Sequence, residues 1–204
     1  MNLLVIRHGQ SEADISEVME GRADFSLTDL GKKQAQLMAD WVALNYTVDK
    51  IFSSPLKRAS QTAAVLSERI GVDVVYDDDL MEWQNGVIAG MPYDEARAKY
   101  PRPEPKYPHT AVYEQESDIQ FRMRAETALS KILNENPMDS TIAVFSHGGL
   151  INQFFNSFLR LPVTSNNIYL QTGDTGIHEW RIDGTNRGII YVNLQKHLEN
   201  LHTI

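Results

Sequence analysis

The sequence predicts an α/β fold in three layers, with a mostly parallel sheet flanked by helices. Short apolar segments typical of buried strands alternate along the chain with longer segments whose apolar residues recur at helical spacing. The chain has 204 residues, of which 42% are hydrophobic and 23% charged, and this places it among globular proteins with a substantial core. We therefore expect residues 1–204 to form one domain.

The first half of the chain contains three predicted strands and two predicted helices. The strand candidates are short and rich in apolar or β-branched residues, at residues 3–6, 50–53 and 72–76. The helix candidates carry apolar residues at helical spacing, at residues 28–45 and 56–70. Thr28 is suited to cap the first helix at its N-terminus, and Gly71 to end the second.

The second half begins with a proline-rich segment, which we predict to be a lid inserted at about residues 84–116. Five prolines between residues 91 and 113 prevent long helices and strand pairing, so we expect only a short helix at residues 94–100. Ser117 and Gln120 then form the capping-box pattern of a new helix that extends to about residue 134. The remaining prediction is a strand, a helix and two late strands, at residues 141–145, 150–159, 176–182 and 188–192.

Composition excludes several classes of protein. A formal net charge of -8 argues against nucleic acid or an anionic membrane surface as the main partner. The chain has no cysteine, so it has neither disulfides nor thiolate metal ligands. Its apolar N-terminal run is too short for a signal peptide, and no run approaches the roughly 18 apolar residues of a membrane span. We expect a soluble, cytoplasmic protein, with its oligomeric state left open.

Polar residues follow three of the predicted strands. Arg7 and His8 come after the first strand, residues 53–58 include the end of the second, and residues 146–148 follow the strand at residues 141–145. In parallel sheets, ligands bind beyond the carboxyl ends of the strands. We therefore expect these three groups to meet at one edge of the sheet.

The residue types in these groups suit a phosphoryl group. Arg7 and Arg58 present guanidinium groups that match phosphate oxygens bidentately, and His8, His147 and Glu82 are suited to nucleophilic and acid–base chemistry. Helices that begin just after these strands would add backbone N–H donors.

The same region could instead hold a divalent metal, through His8, His147, Asp14 and Glu82. Two arginines that converge on the site would disfavour a cation electrostatically. We therefore expect an anion site with no metal.

Five segments resemble, in order, the conserved motifs of the histidine phosphatase superfamily, also called the phosphoglycerate mutase-like family. They are residues 4–11 (Leu-Val-Ile-Arg-His-Gly-Gln-Ser), 21–28, 53–63 (Ser-Ser-Pro-Leu-Lys-Arg-Ala-Ser-Gln-Thr-Ala), 80–82 (Leu-Met-Glu) and 146–149 (Ser-His-Gly-Gly). The first segment resembles the family's Arg-His-Gly signature, and the third is similar to the segment with the second phosphate-binding arginine. The resemblance indicates the phosphatase branch, because mutases of this family generally carry more extensive basic insertions.

The resemblance implies phosphoryl transfer in two steps. His8 would accept the phosphoryl group, and Glu82 would act first as acid and then as base. A protonated His147 would join Arg7 and Arg58 in stabilising the phosphoryl oxygens. The implied phosphate-binding set is Arg7, Arg58, His147, Gly148, Asp14 and Gly21. No cofactor is implied, because the arginines supply the electrostatic stabilisation.

One departure from the family pattern concerns Asp14, which stands where an asparagine is expected. An ionised carboxylate there would repel phosphate, so Asp14 is turned away, protonated or bonded to a hydroxyl. Further along, the residues after Glu82 also differ, which affects substrate contacts more than chemistry. His178, His197 and His202 have no motif support, and we expect His197 on the surface.

The sequence thus predicts a phosphomonoesterase that hydrolyses a small phosphorylated metabolite through a phosphohistidine on His8. Two alternatives stay open: a cofactor-dependent phosphoglycerate mutase, which would return the phosphoryl group to its substrate, and a non-catalytic module that binds a phosphorylated ligand.

Overall fold

A six-stranded sheet forms the centre of the protein, whose computed structural model describes residues 1–163, 168–199 and 201. The strands are β1 (Asn2–Arg7), β2 (Lys50–Ser53), β3 (Val74–Tyr76), β4 (Thr141–Ser146), β5 (Ile177–Asp183) and β6 (Asn186–Leu194). Their order across the sheet is β3-β2-β4-β1-β5-β6. The β3-β2, β2-β4 and β4-β1 pairs are parallel, and the β1-β5 and β5-β6 pairs, which involve the two C-terminal strands, are antiparallel. The predicted α/β fold with a mostly parallel sheet is confirmed.

The helices lie close to their predicted positions, apart from the first, which we did not predict. They are α1 (Glu12–Ser16), α2 (Asp29–Asn45), α3 (Lys57–Ile70), α4 (Tyr93–Lys99), α5 (Asp118–Asn134) and α6 (Gly148–Phe158). Thr28 caps α2 by accepting the Gly31 N–H at 3.0 Å, and Gly71 ends α3 in a left-handed conformation with φ 71°. Among the described residues, no helix is both long enough and apolar enough to span a bilayer.

The helices cover both faces of the sheet, because side chains alternate along each buried strand. Leu3 and Val5 of β1 point into a core cluster that includes residues of α5 and α6. Leu4 and Ile6 point to the other face, into a cluster with residues of α2 and α3. The three-layer arrangement follows from this alternation.

The segment at residues 84–116 consists of short elements, as its prolines predict. It contains α4 and a single 3-10 turn, Gly86–Ile88. Its basic residues make local ion pairs with exposed carboxylates, such as Lys99 with Glu95 at 2.6 Å. Lys106 lies 2.8 Å from Asp118 in the same way. The segment's role as a lid stays a prediction.

Candidate active site

The three predicted polar groups meet at one edge of the sheet. Strands β2, β4 and β1 are neighbours and run parallel, so their carboxyl ends lie together. Backbone hydrogen bonds continue the pairing beyond the strands: His8 N–H donates to the Ser146 carbonyl at 3.1 Å, and Ser54 N–H to the Phe145 carbonyl at 3.0 Å. The rings of His8 and His147 consequently lie 5.2 Å apart between centroids.

His8 is buried and its ring is oriented by the backbone. Its Nδ1 lies 2.7 Å from the Gly9 carbonyl oxygen, which can only accept, so Nδ1 carries the proton. Burial lowers the pKa of His8 well below its ordinary value, and the charges of Arg7 and Arg58 lower it further. The imidazole is therefore neutral, with its lone pair on Nε2, which accepts the Arg58 Nε–H. This is the state that a nucleophilic histidine requires.

Arg58 is fully buried and lies directly beside that lone pair. Its Nε is 3.3 Å from His8 Nε2. The two terminal nitrogens donate to the carbonyls of Ala23, at 3.0 Å, and Gly21, at 2.7 Å. Gly21 thus contacts the guanidinium through its carbonyl, and the loop before α2 holds Arg58 in one orientation.

Arg7 lies at the rim of the site between carboxylates. One terminal nitrogen donates to the Thr172 carbonyl at 3.0 Å, while the other lies 3.5 Å from Asp14 Oδ1 and 3.7 Å from Asp174 Oδ1. Its Nε is buried and has no partner among the described residues. Asp14 Oδ2 accepts the Ser11 N–H at 2.7 Å and so closes a capping box on α1. Asp14 is therefore turned towards Arg7 and the start of α1.

His147 precedes α6 and is buried beside His8. Its Nε2 lies 2.8 Å from Ser54 Oγ, and its Nδ1 has no partner among the described residues. Burial, with the charge of Arg58 second, lowers the pKa of His147 well below its ordinary value. His147 is therefore neutral in this structure, whereas we expected a protonated imidazole from the sequence. The N–H of Gly148, in the first turn of α6, has no acceptor within the helix.

Glu82 is held by two backbone N–H groups. Its Oε1 accepts the N–H of Trp83 and its Oε2 the N–H of Gly149, both at 2.8 Å. The second contact lies in the first turn of α6, where the helix dipole favours a carboxylate. A side chain at position 149 would overlap Oε1, so only glycine permits this approach. Behind it, the Glu82 carbonyl accepts from Arg124 at 3.1 Å and from Arg22 at 3.2 Å.

Glu20 and Asp174 are two carboxylates of the site that the sequence analysis missed. Glu20 Oε1 lies 3.2 Å from Arg58 Nε and accepts the Ser11 hydroxyl at 2.6 Å. Burial raises the pKa of both Glu20 and Asp174. Both predicted phosphate-binding arginines thus have carboxylate neighbours. Of the two carboxylates, only Glu20 could have been found from the sequence, because it directly precedes the motif at residues 21–28.

Two further histidines contribute to packing. His178 lies in β5 and is fully buried, and His197, which we expected on the surface, is half-buried with its Nε2 2.9 Å from Thr175 Oγ1. His202 lies outside the described residues. Within the part of the chain that the structure describes, no group of three or more His, Asp or Glu side chains is arranged to hold a metal.

Comparison with known proteins agrees with this geometry. The profile of the histidine phosphatase superfamily (branch 1) matches residues 3–195. The chain is 28% identical to the glucosyl-3-phosphoglycerate phosphatase of Mycobacterium tuberculosis, over 80% of this chain and 77% of that protein. It is also 29% identical to an uncharacterized phosphatase of Bacillus subtilis, over 72% of both chains.

Solved structures of other proteins share the fold of this chain. A mycobacterial glucosyl-3-phosphoglycerate phosphatase in complex with VO3 superposes with a TM-score of 0.81 and 26% identity, over 94% of this chain and 98% of that one. A Bacillus stearothermophilus protein, YhfR, shares the fold with a TM-score of 0.85 at 22% identity, over 97% and 99%. The chain therefore belongs to the histidine phosphatase superfamily, branch 1.

Proposed function

We propose that this protein is a phosphomonoesterase that hydrolyses a small phosphorylated metabolite through a phosphohistidine on His8. One observation carries the proposal: the unprotonated His8 Nε2 accepts the N–H of buried Arg58 Nε at 3.3 Å, so its lone pair lies directly beside a guanidinium. A nucleophile beside a fixed cation is what attack on an anionic phosphoryl group requires. The phosphatase names of the relatives support the same reaction.

In the first step, His8 Nε2 attacks phosphorus. An N–P bond forms while the bond from phosphorus to the ester oxygen breaks, and Glu82 protonates the departing alkoxide. Arg7 and Arg58, whose charges both act on His8, stabilise the equatorial phosphoryl oxygens, together with His147 and the N–H of Gly148. The site needs no movement of the nucleophile, because the Gly9 carbonyl already fixes the ring.

In the second step, water attacks the phosphohistidine. Glu82 is now ionised and accepts a proton from the water as the new O–P bond forms and the N–P bond breaks. His8 is released neutral and phosphate leaves. The two backbone N–H groups that hold Glu82 keep the carboxylate in one position for both proton transfers.

Hydrolysis of a panel of phosphomonoesters by the wild type and His8→Ala tests the proposal. We expect phosphate release by the wild type and a loss of at least about a thousandfold in the variant. His109→Ala, which removes an exposed histidine of the 84–116 segment, is the matched control and should retain activity. Absence of phosphate release by the wild type would contradict the proposal. Added bisphosphoglycerate would then separate the mutase from the non-catalytic binding module.

The role of Glu82 is tested by Glu82→Gln in rapid-mixing experiments. Loss of a general acid costs about 10²–10⁴ in rate when the leaving group is a poor one. We expect this loss for alkyl phosphates, whereas an activated aryl phosphate should still give a rapid burst of one phenol per enzyme. Hydrolysis of the phosphohistidine in the second step should then be slow in this variant. A burst suppressed equally for both ester types would mean that Glu82 is not the leaving-group acid.

A further inference from the structure

Ser54 contacts the candidate site through a single side-chain hydrogen bond, to His147. Its hydroxyl is fully buried at the carboxyl end of β2, accepts the Leu56 N–H at 3.3 Å and lies 2.8 Å from His147 Nε2. Among the described residues, His147 Nε2 is the only acceptor within hydrogen-bond distance of this hydroxyl. A buried O–H without an acceptor is unfavourable, because the group has lost its hydrogen bonds to water. The Ser54 hydroxyl therefore donates to Nε2.

This direction of donation determines the tautomer of His147. A neutral imidazole that accepts at Nε2 carries its proton on Nδ1. That Nδ1 is buried, has no partner among the described residues, and belongs to a ring 5.2 Å from the ring of His8. Buried donors are normally satisfied, and an unpaired one beside a nucleophile marks the place of a ligand's acceptor.

We propose that Ser54 is a positioning residue: it holds His147 in the Nδ1–H tautomer, so that the neutral imidazole donates a hydrogen bond to the phosphoryl group. The proposal rests on the proposed function, because the acceptor is the transferring phosphoryl group. It assigns a role to a serine that the motif at residues 53–63 contains.

The charges around His147 explain why a neutral donor suits this site. Arg58 from α3, Arg7 from the end of β1 and Arg124 from α5 disfavour a further positive charge there, and the adjacent His8 is itself neutral. The carboxylate of Glu82 accepts the N–H of Gly149 in the first turn of α6. A fixed tautomer provides the hydrogen bond without adding a third cation next to the two arginines.

The kinetic test compares Ser54→Ala with Ser54→Thr and with Ser53→Ala as the control. Ser53 is an equally buried neighbour whose hydroxyl donates to the Ser54 carbonyl at 2.9 Å and does not contact His147. Loss of one preorganised donor costs about 10²–10³ in kcat. Because Ser54→Ala leaves a fraction of the molecules in the productive tautomer, we expect a loss of about ten- to a hundredfold at alkaline pH.

The pH profile separates tautomer control from simple packing. A protonated imidazole donates from both nitrogens, so the Ser54→Ala deficit should shrink as pH falls. Ser54→Thr, which keeps a hydroxyl, should restore the wild-type profile, and Ser53→Ala should show no pH-dependent deficit. A Ser54→Ala deficit that is constant across pH would overturn the proposal.

Nitrogen NMR of ¹⁵N-histidine-labelled protein determines the tautomer of His147 independently of catalytic activity. We expect the wild type to carry the His147 proton on Nδ1, and Ser54→Ala to show both neutral tautomers. A wild-type His147 with its proton on Nε2 would overturn the proposal even if the alanine variant does not fold. If the wild type hydrolyses no ester, the proposed function fails, while the NMR result still decides the tautomer.

Discussion

Replacing Glu20 with glutamine is expected to tighten the binding of phosphate. Glu20 Oε1 lies 3.2 Å from Arg58 Nε, and the same nitrogen lies 3.3 Å from His8 Nε2. The N–H of this nitrogen donates to His8 Nε2, and the Glu20 carboxylate beside it offsets the positive charge of the guanidinium, so a phosphate that approaches His8 competes with the carboxylate for that charge. Glutamine retains the length of the side chain and an acceptor for the Ser11 hydroxyl, but it removes the negative charge.

The size of the effect follows from this ion pair. Coulomb's law at 3.2 Å, with an effective dielectric constant of about 20, gives an attraction of about 5 kcal/mol before desolvation is counted. Desolvation offsets part of this attraction, and close charge pairs that are shielded from water retain about 1.5 kcal/mol or more. Weakening a competitor of that strength lowers the Kd of inorganic phosphate by about ten- to a hundredfold.

Titration calorimetry with inorganic phosphate at several pH values provides the assay. Burial raises the pKa of Glu20, so the wild-type carboxyl takes up a proton as pH falls and then resembles glutamine. The ratio of wild-type to variant Kd should thus be largest at alkaline pH and approach one at acid pH. Asp40→Asn is the control, because it removes the same charge from an exposed pair with Arg69. Weaker phosphate binding by Glu20→Gln would refute the reasoning, since Glu20 would then be helping to hold the anion.

Three further predictions concern Gly149, His178 and Ser117. Gly149→Ala should displace the Glu82 carboxylate and lower kcat for alkyl phosphates by at least about tenfold, with unchanged thermal unfolding. His178 accepts the Asn193 N–H at Nδ1, and burial lowers its pKa from 6.5 to about 4. Its contribution to stability is complete above about pH 6.5 and decreases as pH falls towards about 4, by up to about 3 kcal/mol. Urea unfolding should show a shallower pH dependence for His178→Gln, and an equal slope would contradict this. Ser117→Ala should cost about 1 kcal/mol through loss of the α5 cap, measured as a lower Tm by calorimetry.

The sequence predicted most helices and strands well, because their signals are local. Thr28 and Gly71 mark helix ends through their own backbone and side-chain chemistry, and both do so in the structure. The five-residue helix α1 was missed because it is too short for periodicity to be read, although Ser11 and Asp14 have capping-box spacing. Helix α6 begins at Gly148, two residues before its predicted start. The predicted start was too late because the low helix propensity of glycine argued against placing Gly148 and Gly149 in the helix.

The site was predictable only where its residues belong to motifs at strand ends. His8, Arg58 and His147 could be placed together, since parallel strands end at one edge of the sheet. Ion pairs such as that between Arg7 and Asp174 join positions far apart in the chain, and no pattern in the sequence predicts them. The neutral state of His147 also depends on burial, which a motif does not report.

The floor of the site and the 84–116 segment are attached to the protein in different ways. The amides of His8 and Ser54 are bonded to the strand that lies between their own, so we expect them to exchange with solvent only when the whole sheet unfolds. The segment consists of short turns and one short helix, fastened at its base by the bond from Trp83 Nε1 to the Glu116 carbonyl at 2.9 Å. Its amides should exchange through local opening. We therefore predict that substitutions in this segment change which ester is accepted, while the sheet keeps the nucleophile and Arg58 in the same positions.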